Sequence, residues 1–361
     1  MKRYCLGAAV FAAISMPACA QSSVTLYGMI DLGVAYVSKL GGASAVKMLD
    51  ATSVPTMWGL TGAEDLGGGT RAVFKLENGF LASTGAQINP NSFFNRQAYV
   101  GLANRDYGTL TMGHQASLEF EMISPLYAAG WTLGTDLMYH PGNIDDLFNS
   151  HQIDSSLKYR SPVFKGFEIG LLFGGLTGVA GDPAYARAYQ AAATYKIGDF
   201  AASAFYGSEN HRAIMMLSGT GLITLFGQRL SAAPFVADNV KNVAVGLRYA
   251  PAPYVFTALF TQSRIGYQGQ TSNMNNYDLA ASWRVTAALM LGAGYTQTHF
   301  VGNVTNTGSV TVNYELSKRT GVYANEVFQR ASSGHVADIS TIGPAGCRSQ
   351  NVVMVGMRHR F

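Results

Sequence analysis

The last eleven residues of the chain, Asn351-Val-Val-Met-Val-Gly-Met-Arg-His-Arg-Phe361, alternate in a way that few folds accommodate. Side chains of an extended strand point to opposite faces in turn. One face of this stretch is therefore apolar, with Val353, Val355 and Met357, and the other carries Arg358 and Arg360. Stretches of similar alternation and about 10 residues recur upstream, which is the sequence repeat of a transmembrane β-barrel.

The composition excludes several other classes of protein. Charged residues make up 13% of the 361 residues, against about 25% in typical globular proteins. The longest strongly apolar run, Leu6–Met16, is far shorter than the roughly 20 residues of a membrane-spanning helix. The formal net charge of +4 is too small for the basic field of a nucleic-acid-binding protein, so we expect no nucleic-acid partner.

The first twenty residues have the pattern of a secretory signal peptide. Lys2 and Arg3 form a basic start, Leu6–Ile14 an apolar centre, and Ala18-Cys19-Ala20 a small-residue cleavage site. We therefore predict a cleaved signal peptide over residues 1–20 and a single barrel domain over residues 21–361. A buried N-terminal helix and a lipoprotein signal ending at the cysteine are the alternatives.

Sixteen segments carry the period-two alternation, and they predict an all-β, sixteen-stranded antiparallel barrel. The predicted strands are 24–36, 56–64, 70–77, 96–102, 109–115, 155–160, 167–173, 188–196, 200–207, 240–249, 254–264, 277–284, 289–300, 309–315, 321–328 and 351–361. The stretch Lys39–Val54 is predicted as a loop. Short connections alternate with long ones such as Ala116–Asp154, as in outer-membrane barrels with short periplasmic turns. A soluble β-sandwich is the alternative, because it favours the same residue types.

The long connection Ala116–Asp154 is rich in acids and contains no Lys or Arg. Its acidic candidates for a pore constriction are Glu119, Glu121, Asp136, Asp145, Asp146 and Asp154. A sixteen-stranded barrel encloses an aqueous channel, and rings of charge set the selectivity of pores. The candidate basic wall consists of Arg71, Lys75, Arg96 and Lys158, of which only Arg96 departs from the alternation. A solvated external loop remains the alternative for the acids.

No sequence motif of an enzyme or of a cofactor site is present. The seven histidines show no HExxH spacing, and there is no GxSxG motif. Cleavage of the signal peptide leaves Cys347 as the one cysteine, which excludes an internal disulfide or a cysteine-based metal site. We therefore predict no catalytic residues, no metal and no cofactor.

The segments 213–217 and 222–226 are apolar where an external loop should be polar. They either extend strands above the membrane or pack on a neighbouring subunit.

Five segments together resemble the Gram-negative general porins, in particular the trimeric β-proteobacterial type. The segments are Ser22–Gly28, Trp58–Gly69, Asn95–Leu102, Tyr159–Phe167 and Val355–Phe361. The resemblance implies a homotrimer of outer-membrane barrels, with the third long loop folded into each lumen. It also implies contact with the lipid bilayer and lipopolysaccharide, and recognition of the terminal Phe361 by the outer-membrane assembly machinery.

Three positions depart from the pattern of this family. Met57 stands where Arg commonly precedes Trp-Gly, His114 replaces the Arg of Gly-Arg-Gln, and Asp154 replaces the first Asn of Asn-Asn-Ser. Met57 and His114 are therefore possible modifiers of selectivity, since fixed positive charge is lost there and histidine titrates near neutrality.

The predicted function is passive diffusion of ions and small hydrophilic solutes across the bacterial outer membrane. A substrate-specific channel is the alternative, followed by a surface adhesin or a barrel enzyme. Solute-dependent block of the ion current separates the first two.

Overall fold

A computed structural model describes residues 23–127, 132–133, 135–176 and 186–361. The predicted signal peptide, residues 1–20, lies outside these ranges. No helix in the described part of the chain is long and apolar enough to cross a bilayer.

The strands, in chain order, are β1 (Ser23–Leu40), β2 (Ala43–Asp50), β3 (Met57–Gly67), β4 (Thr70–Gly79), β5 (Gln97–Asn104), β6 (Gly108–Ala116), β7 (Gln152–Arg160), β8 (Phe167–Gly174), β9 (Ala188–Ile197), β10 (Phe200–Asn210), β11 (Ala213–Ile214), β12 (Thr224–Leu225), β13 (Gln228–Arg229), β14 (Phe235–Val236), β15 (Asn239–Tyr249), β16 (Tyr254–Tyr267), β17 (Gln270–Arg284), β18 (Leu289–Phe300), β19 (Asn303–Glu315), β20 (Thr320–Ala331), β21 (Asp338–Ile339), β22 (Gly343–Pro344) and β23 (Ser349–Arg360). The long connection between β6 and β7 contains helix α1 (Leu118–Met122) and two short 3-10 turns, Ser124–Leu126 and Pro141–Asn143. The Ser117 hydroxyl caps α1 by accepting a hydrogen bond from the Phe120 N–H at 3.1 Å.

Seventeen strands form one antiparallel sheet, and the six short strands β11–β14, β21 and β22 lie outside it. The sheet closes because β1 pairs with β23 along Met29–Val37. On its other edge β1 pairs with β3 through Ser23–Met29 and with β2 through Leu32–Leu40. Strands β2 and β3 thus share one position, and the wall is a closed, sixteen-stranded antiparallel barrel.

The predicted barrel is confirmed, and one predicted loop is wrong. Half of the segment 39–54 is occupied by β2, which begins after a two-residue turn at Gly41 and Gly42. Both glycines have positive φ, 59° and 99°, which glycine adopts without steric cost. Within β2, Val46 and Met48 are exposed and Leu49 is buried, so the strand has the same alternation as the rest of the wall.

The alternation divides the wall into an apolar outer face and a polar inner face. On β15, Val243, Val245 and Leu247 are exposed, whereas Asn242 and Ala244 on the other face are buried. Buried Thr and Asn side chains recur on the same face of β16 to β19. An apolar outer face and a polar interior are what a bilayer and a water-filled lumen require.

The last residue of the sequence, Phe361, packs against Gly28 of β1, next to the pairing of β1 with β23 that closes the barrel. Gly28 and Phe361 exchange two backbone hydrogen bonds, of 3.1 and 3.0 Å. A Cβ atom added at Gly28 would lie 2.2 Å from Cζ of the Phe361 ring, so only glycine leaves room for that ring.

The apolar segments 213–217 and 222–226 bury part of their side chains against the inner wall, which the sequence does not suggest. Ile214, Met216 and Leu225 are buried in one cluster with Ile265 and Met274 of the inner wall. Half of the apolar side chains of this long connection therefore pack inward over the barrel interior. The other half, including Met215, Leu217 and Ile223, stays exposed.

Candidate functional site

The segment that follows β6 is attached to the inner face of the wall by polar contacts. The Asn313 side chain donates to the Leu133 carbonyl at 3.0 Å. The Asn242 side chain donates to Glu119 at 2.9 Å and to the Ile144 carbonyl at 2.8 Å. These wall residues lie on β15 and β19, so the described residues of the segment 117–151 are held by a broad part of the barrel.

The most buried of these attachments is a histidine between two carboxylates. His140 Nδ1 lies 2.5 Å from Asp145 Oδ2, and its Nε2 lies 2.9 Å from Oδ2 of Asp278 on β17. All three side chains are at most 1% exposed. Burial alone lowers a histidine pKa, but the two carboxylates raise the pKa of His140 to about 10. The imidazole is therefore a cation at neutral pH, and it joins the segment to the wall.

Three of the predicted constriction acids, Glu119, Asp145 and Asp146, do not face water. Each is 1% exposed. Burial raises the pKa of Glu119 well above its usual range, and the nearby Asp145 raises it further. Burial also raises the pKa of Asp146, although His151 and Arg212 oppose the shift. Burial opposes ionisation of Asp145 as well, but His140 overcomes it and lowers the pKa of Asp145. This placement corrects their assignment as water-facing charges.

Glu121 lies against two basic residues of the wall and neutralises part of that wall. Lys158 Nζ lies 2.5 Å from Glu121 Oε1, and Arg160 NH1 lies 3.4 Å from Glu121 Oε2. Arg160 also pairs with Glu168 at 2.6 Å. Lys158, Glu121, Arg160 and Glu168 thus alternate in charge, and their formal charges cancel.

Two further predicted basic residues lie on the inner face of β4. Lys75 pairs with Glu77 at 3.2 Å, and Glu77 also accepts a hydrogen bond from Gln97 at 2.9 Å. Arg71 lies near the short turn between β3 and β4, is exposed, and makes no ion pair among the described residues.

Arg96 and Asp136 lie near each other, and neither makes an ion pair among the described residues. Arg96 comes immediately before β5, and its charge interacts with those of Glu77 and Asp136. Its Nε is buried without a hydrogen-bond partner in the described part of the chain. Burial raises the pKa of Asp136, Asp31 adds to the shift, and Arg96 opposes it. Both residues are half-buried.

The register of β5 and β6 places His114 on the outer face, and Asp154, at a bulge of the β6–β7 pairing, contacts it there, which corrects their assignment to the pore. His114 pairs with Ala98, next to the pair of exposed residues Val100 and Met112. Its Nδ1 lies 2.5 Å from Asp154 Oδ1. Two of the three residues that depart from the family pattern, His114 and Asp154, therefore pair with each other. Met57 lies on the inner face opposite Gly79 but is only 6% exposed.

A second polar network, missed by the sequence analysis, joins the terminal strand to the segment between β2 and β3. Arg358 donates to Ser53 at 2.6 Å and to Asn313 at 3.1 Å, and it pairs with Glu315. Asp31 accepts hydrogen bonds from the Ser53 N–H at 2.5 Å and from Tyr323 at 2.6 Å. The residues that connect β2 to β3 are thus held toward the interior, where the Thr52 carbonyl accepts a bond from the Asp136 N–H at 2.5 Å.

Four cations that are not among the predicted site residues lie on the inner face at the end of the short turns. Lys196 and Arg248 are both in register with the buried Ala201 of β10. Arg284 and Arg360 end β17 and β23 on the same inner face. None of these four makes an ion pair among the described residues. Alternation alone predicts their orientation, since each lies two residues from another inward position.

The described residues contain no cluster of three or more His, Cys, Asp or Glu side chains that could hold a metal ion.

A sequence model of the Gram-negative porins matches residues 7–332. The chain belongs to the Gram-negative porin family. It is 34% identical over 191 residues to an outer membrane porin protein of Bordetella pertussis, a match that covers 47% of each chain. It is 28% identical over 378 residues to outer membrane porin protein 32 of Delftia acidovorans, with 100% of both chains covered.

Solved porin structures have the same fold. The anion-selective porin from Comamonas acidovorans superposes with a TM-score of 0.76 at 24% identity, covering 94% of this chain and 100% of that one. A trimer form of OmpT from Vibrio cholerae gives a TM-score of 0.68 at 16% identity, with 94% and 99% covered. The protein is an outer-membrane general diffusion porin, through which ions and small hydrophilic solutes pass passively. Its relatives are channels.

Proposed function

We propose that the segment 117–151 narrows the lumen, and that Arg96 and Asp136 face each other across the remaining opening. The supporting observation is that these two side chains interact electrostatically but form no ion pair. Opposite fixed charges without a direct bond produce a field across the opening, which orients polar solutes as they pass.

We also propose that the pore prefers anions. Arg71, Lys196, Arg248, Arg284 and Arg360 are inward-facing cations without an ion pair among the described residues. Lys75, Lys158, Arg160 and Arg358 are neutralised by glutamates. Asp65 lies opposite Arg71 in the register, and the other four cations leave the water-facing charge at the end of the short turns positive. The Comamonas acidovorans porin named above is described as anion-selective, which agrees with this proposal.

The reversal potential in a planar bilayer under a KCl gradient tests the preference. The wild-type protein should show the sign expected for Cl⁻ permeation. The variant Lys196→Gln/Arg248→Gln should shift the potential toward K⁺, because it removes two inward cations. The matched variant Lys241→Gln/Arg264→Gln removes the same charges from the outer face and should leave the potential unchanged. A wild-type potential of cation sign, or equal shifts for both variants, contradicts the proposal.

A homotrimer and the absence of enzymatic activity belong to the same proposal. The trimer form of OmpT supports trimeric assembly, and the family consists of channels. Conductance steps in groups of three from one insertion event would support a trimer, and independent single steps would contradict it. Lipopolysaccharide and the outer-membrane assembly machinery are the expected partners of a barrel in this membrane.

A further inference from the structure

Two tyrosines flank a pair of charged residues on the inner wall formed by β1, β3, β4 and β5. The register aligns Tyr27 with Gly59, and Gly59 with Glu77, in one row across the strands. In the neighbouring row, Lys75 of β4 is opposite Tyr99 of β5. Directly paired residues share a face of the sheet. Because Lys75 and Glu77 lie on the inner face, both tyrosines lie there as well.

Water reaches this part of the wall. Thr25 and Thr61 lie in the same row as Lys75, and both are exposed. On β15, by contrast, the inward Asn242 is buried beneath Glu119 of the segment 117–151. The open passage therefore runs along β1, β3 and β4, and the half-buried tyrosines border it.

The wall is shaped to hold the Tyr27 ring. A Cβ atom added at Gly59 would lie 2.8 Å from the hydroxyl oxygen of Tyr27 and 2.9 Å from its Cζ. The phenol end of the ring therefore rests on the backbone of Gly59. Lys75 Nζ lies 5.7 Å from the centre of this ring and 3.2 Å from Glu77. One ionic contact leaves the other N–H groups of this ammonium to bind a second anion.

A second cation and a second ring lie beside the same carboxylate. Arg96 interacts electrostatically with Glu77 and Tyr27, and its Nε has no hydrogen-bond partner in the described part of the chain. The charge of Glu77 also acts on the Tyr99 hydroxyl. Glu77 is thus shared between Lys75 and Arg96, so positive charge exceeds negative charge in this cluster.

We propose that Tyr27, Lys75, Arg96 and Tyr99 form a site for small aromatic carboxylates, of which benzoate is the simplest. The carboxylate pairs with the two cations, and the aromatic ring of the solute packs against the tyrosine rings. Inorganic anions and aliphatic carboxylates lack this ring contact and are retained less. The inference rests on the proposed passage of anions past Arg96, and it names the class of solute that this passage favours.

Block of the KCl current by added carboxylates in a planar bilayer tests the site. Benzoate should halve the wild-type current at about a fivefold lower concentration than cyclohexanecarboxylate, because an aromatic pair strengthens binding by about this factor. The two solutes have the same charge and similar size. The variant Tyr27→Leu/Tyr99→Leu should remove the difference. The matched variant Tyr206→Leu/Tyr277→Leu changes two exposed tyrosines of the outer face and should keep it.

Further variants separate the effects of ring, charge and folding. Tyr27→Phe/Tyr99→Phe retains both rings and should keep the preference for benzoate, which makes the test independent of whether the leucine variant folds. Lys75→Met should weaken block by both carboxylates. Unchanged block in Lys75→Met overturns the site, and so does loss of the preference in the phenylalanine variant.

Two comparisons distinguish failure of this site from failure of the proposed anion preference. Equal block of the wild type by benzoate and cyclohexanecarboxylate overturns the aromatic site, as does a benzoate preference that persists in Tyr27→Leu/Tyr99→Leu. The reversal potential is measured in KCl without any carboxylate. A wild-type potential of cation sign contradicts the anion preference, whatever the carboxylates do.

Discussion

His140 offers the sharpest test of how the segment 117–151 is held. His140→Gln removes a buried cation and leaves the carboxylates of Asp145 and Asp278 without their shared partner. Breaking a buried pair in this way costs about 3–5 kcal/mol. Since 1.4 kcal/mol is a factor of ten, the ratio of attached to detached segment should fall on the order of 100- to 3000-fold. Thr261, at 2.6 Å from Asp145, compensates only part of the loss.

Hydrogen exchange of reconstituted protein measures this change directly. Amides of residues 136–146 should exchange much faster in His140→Gln than in the wild type, whereas amides of the wall strands should not. Single-channel recordings should show added current fluctuation, because a detached segment moves in the lumen. His299→Gln is the matched control, since His299 lies on the neighbouring β18 with its side chain on the exposed outer face.

A double variant checks the electrostatic cause. His140→Gln/Asp145→Asn leaves only one of the two carboxylates that contact residue 140. This remaining carboxylate, Asp278, keeps its hydrogen bond from Thr296. Exchange and current fluctuation should return toward wild-type values. Identical exchange in His140→Gln and His299→Gln would refute the reasoning, and so would a double variant that is as mobile as the single one.

Three further predictions concern pH and barrel closure. The pKa of His140 is raised to about 10 from about 6.5, so its stabilisation is complete below pH 6.5 and is lost as the pH rises through about 10; exchange of residues 136–146 should accelerate there. The pKa of Asp136 is raised by burial, so acidification should neutralise it above the usual range for aspartate and strengthen anion preference in reversal-potential measurements; Asp136→Asn should abolish that pH dependence. Gly28→Ala should lower the yield of folded barrel on heat-modifiability gels, because its Cβ collides with the Phe361 ring. The control Gly308→Ala should keep the wild-type yield, because its Cβ meets nothing closer than 4.0 Å. Equal yields of the two variants would contradict the packing argument.

The wall of the barrel is predictable because one physical rule dictates it. Lipid outside and a polar interior impose an alternation that each strand shows by itself, with no knowledge of its neighbours. The one strand of the wall that the sequence does not predict, β2, follows the same rule through Val46 and Met48. The glycines and polar residues around it are typical of a loop, which hides this alternation.

The partners of charged residues are not predictable in this way, because they are distant in sequence. Lys158 meets Glu121 across 37 residues, and His140 meets Asp278 across 138. His114 illustrates the same limit. Its replacement of a family arginine suggests a role in the pore, but only the register shows that it faces outward and pairs with Asp154.

Formal charge in a sequence also differs from charge that reaches water. The connection after β6 contains acids and no bases, which predicts a strongly negative surface in the lumen. Leu118, Ile123 and Leu137 of the same segment pack into an apolar cluster against the wall, and this packing carries Glu119 and Asp146 out of the solvent. Their raised pKa values favour the neutral form. The segment therefore contributes less negative charge than its composition indicates, which supports the proposal that the unpaired inward cations determine the sign of the field that permeating ions meet.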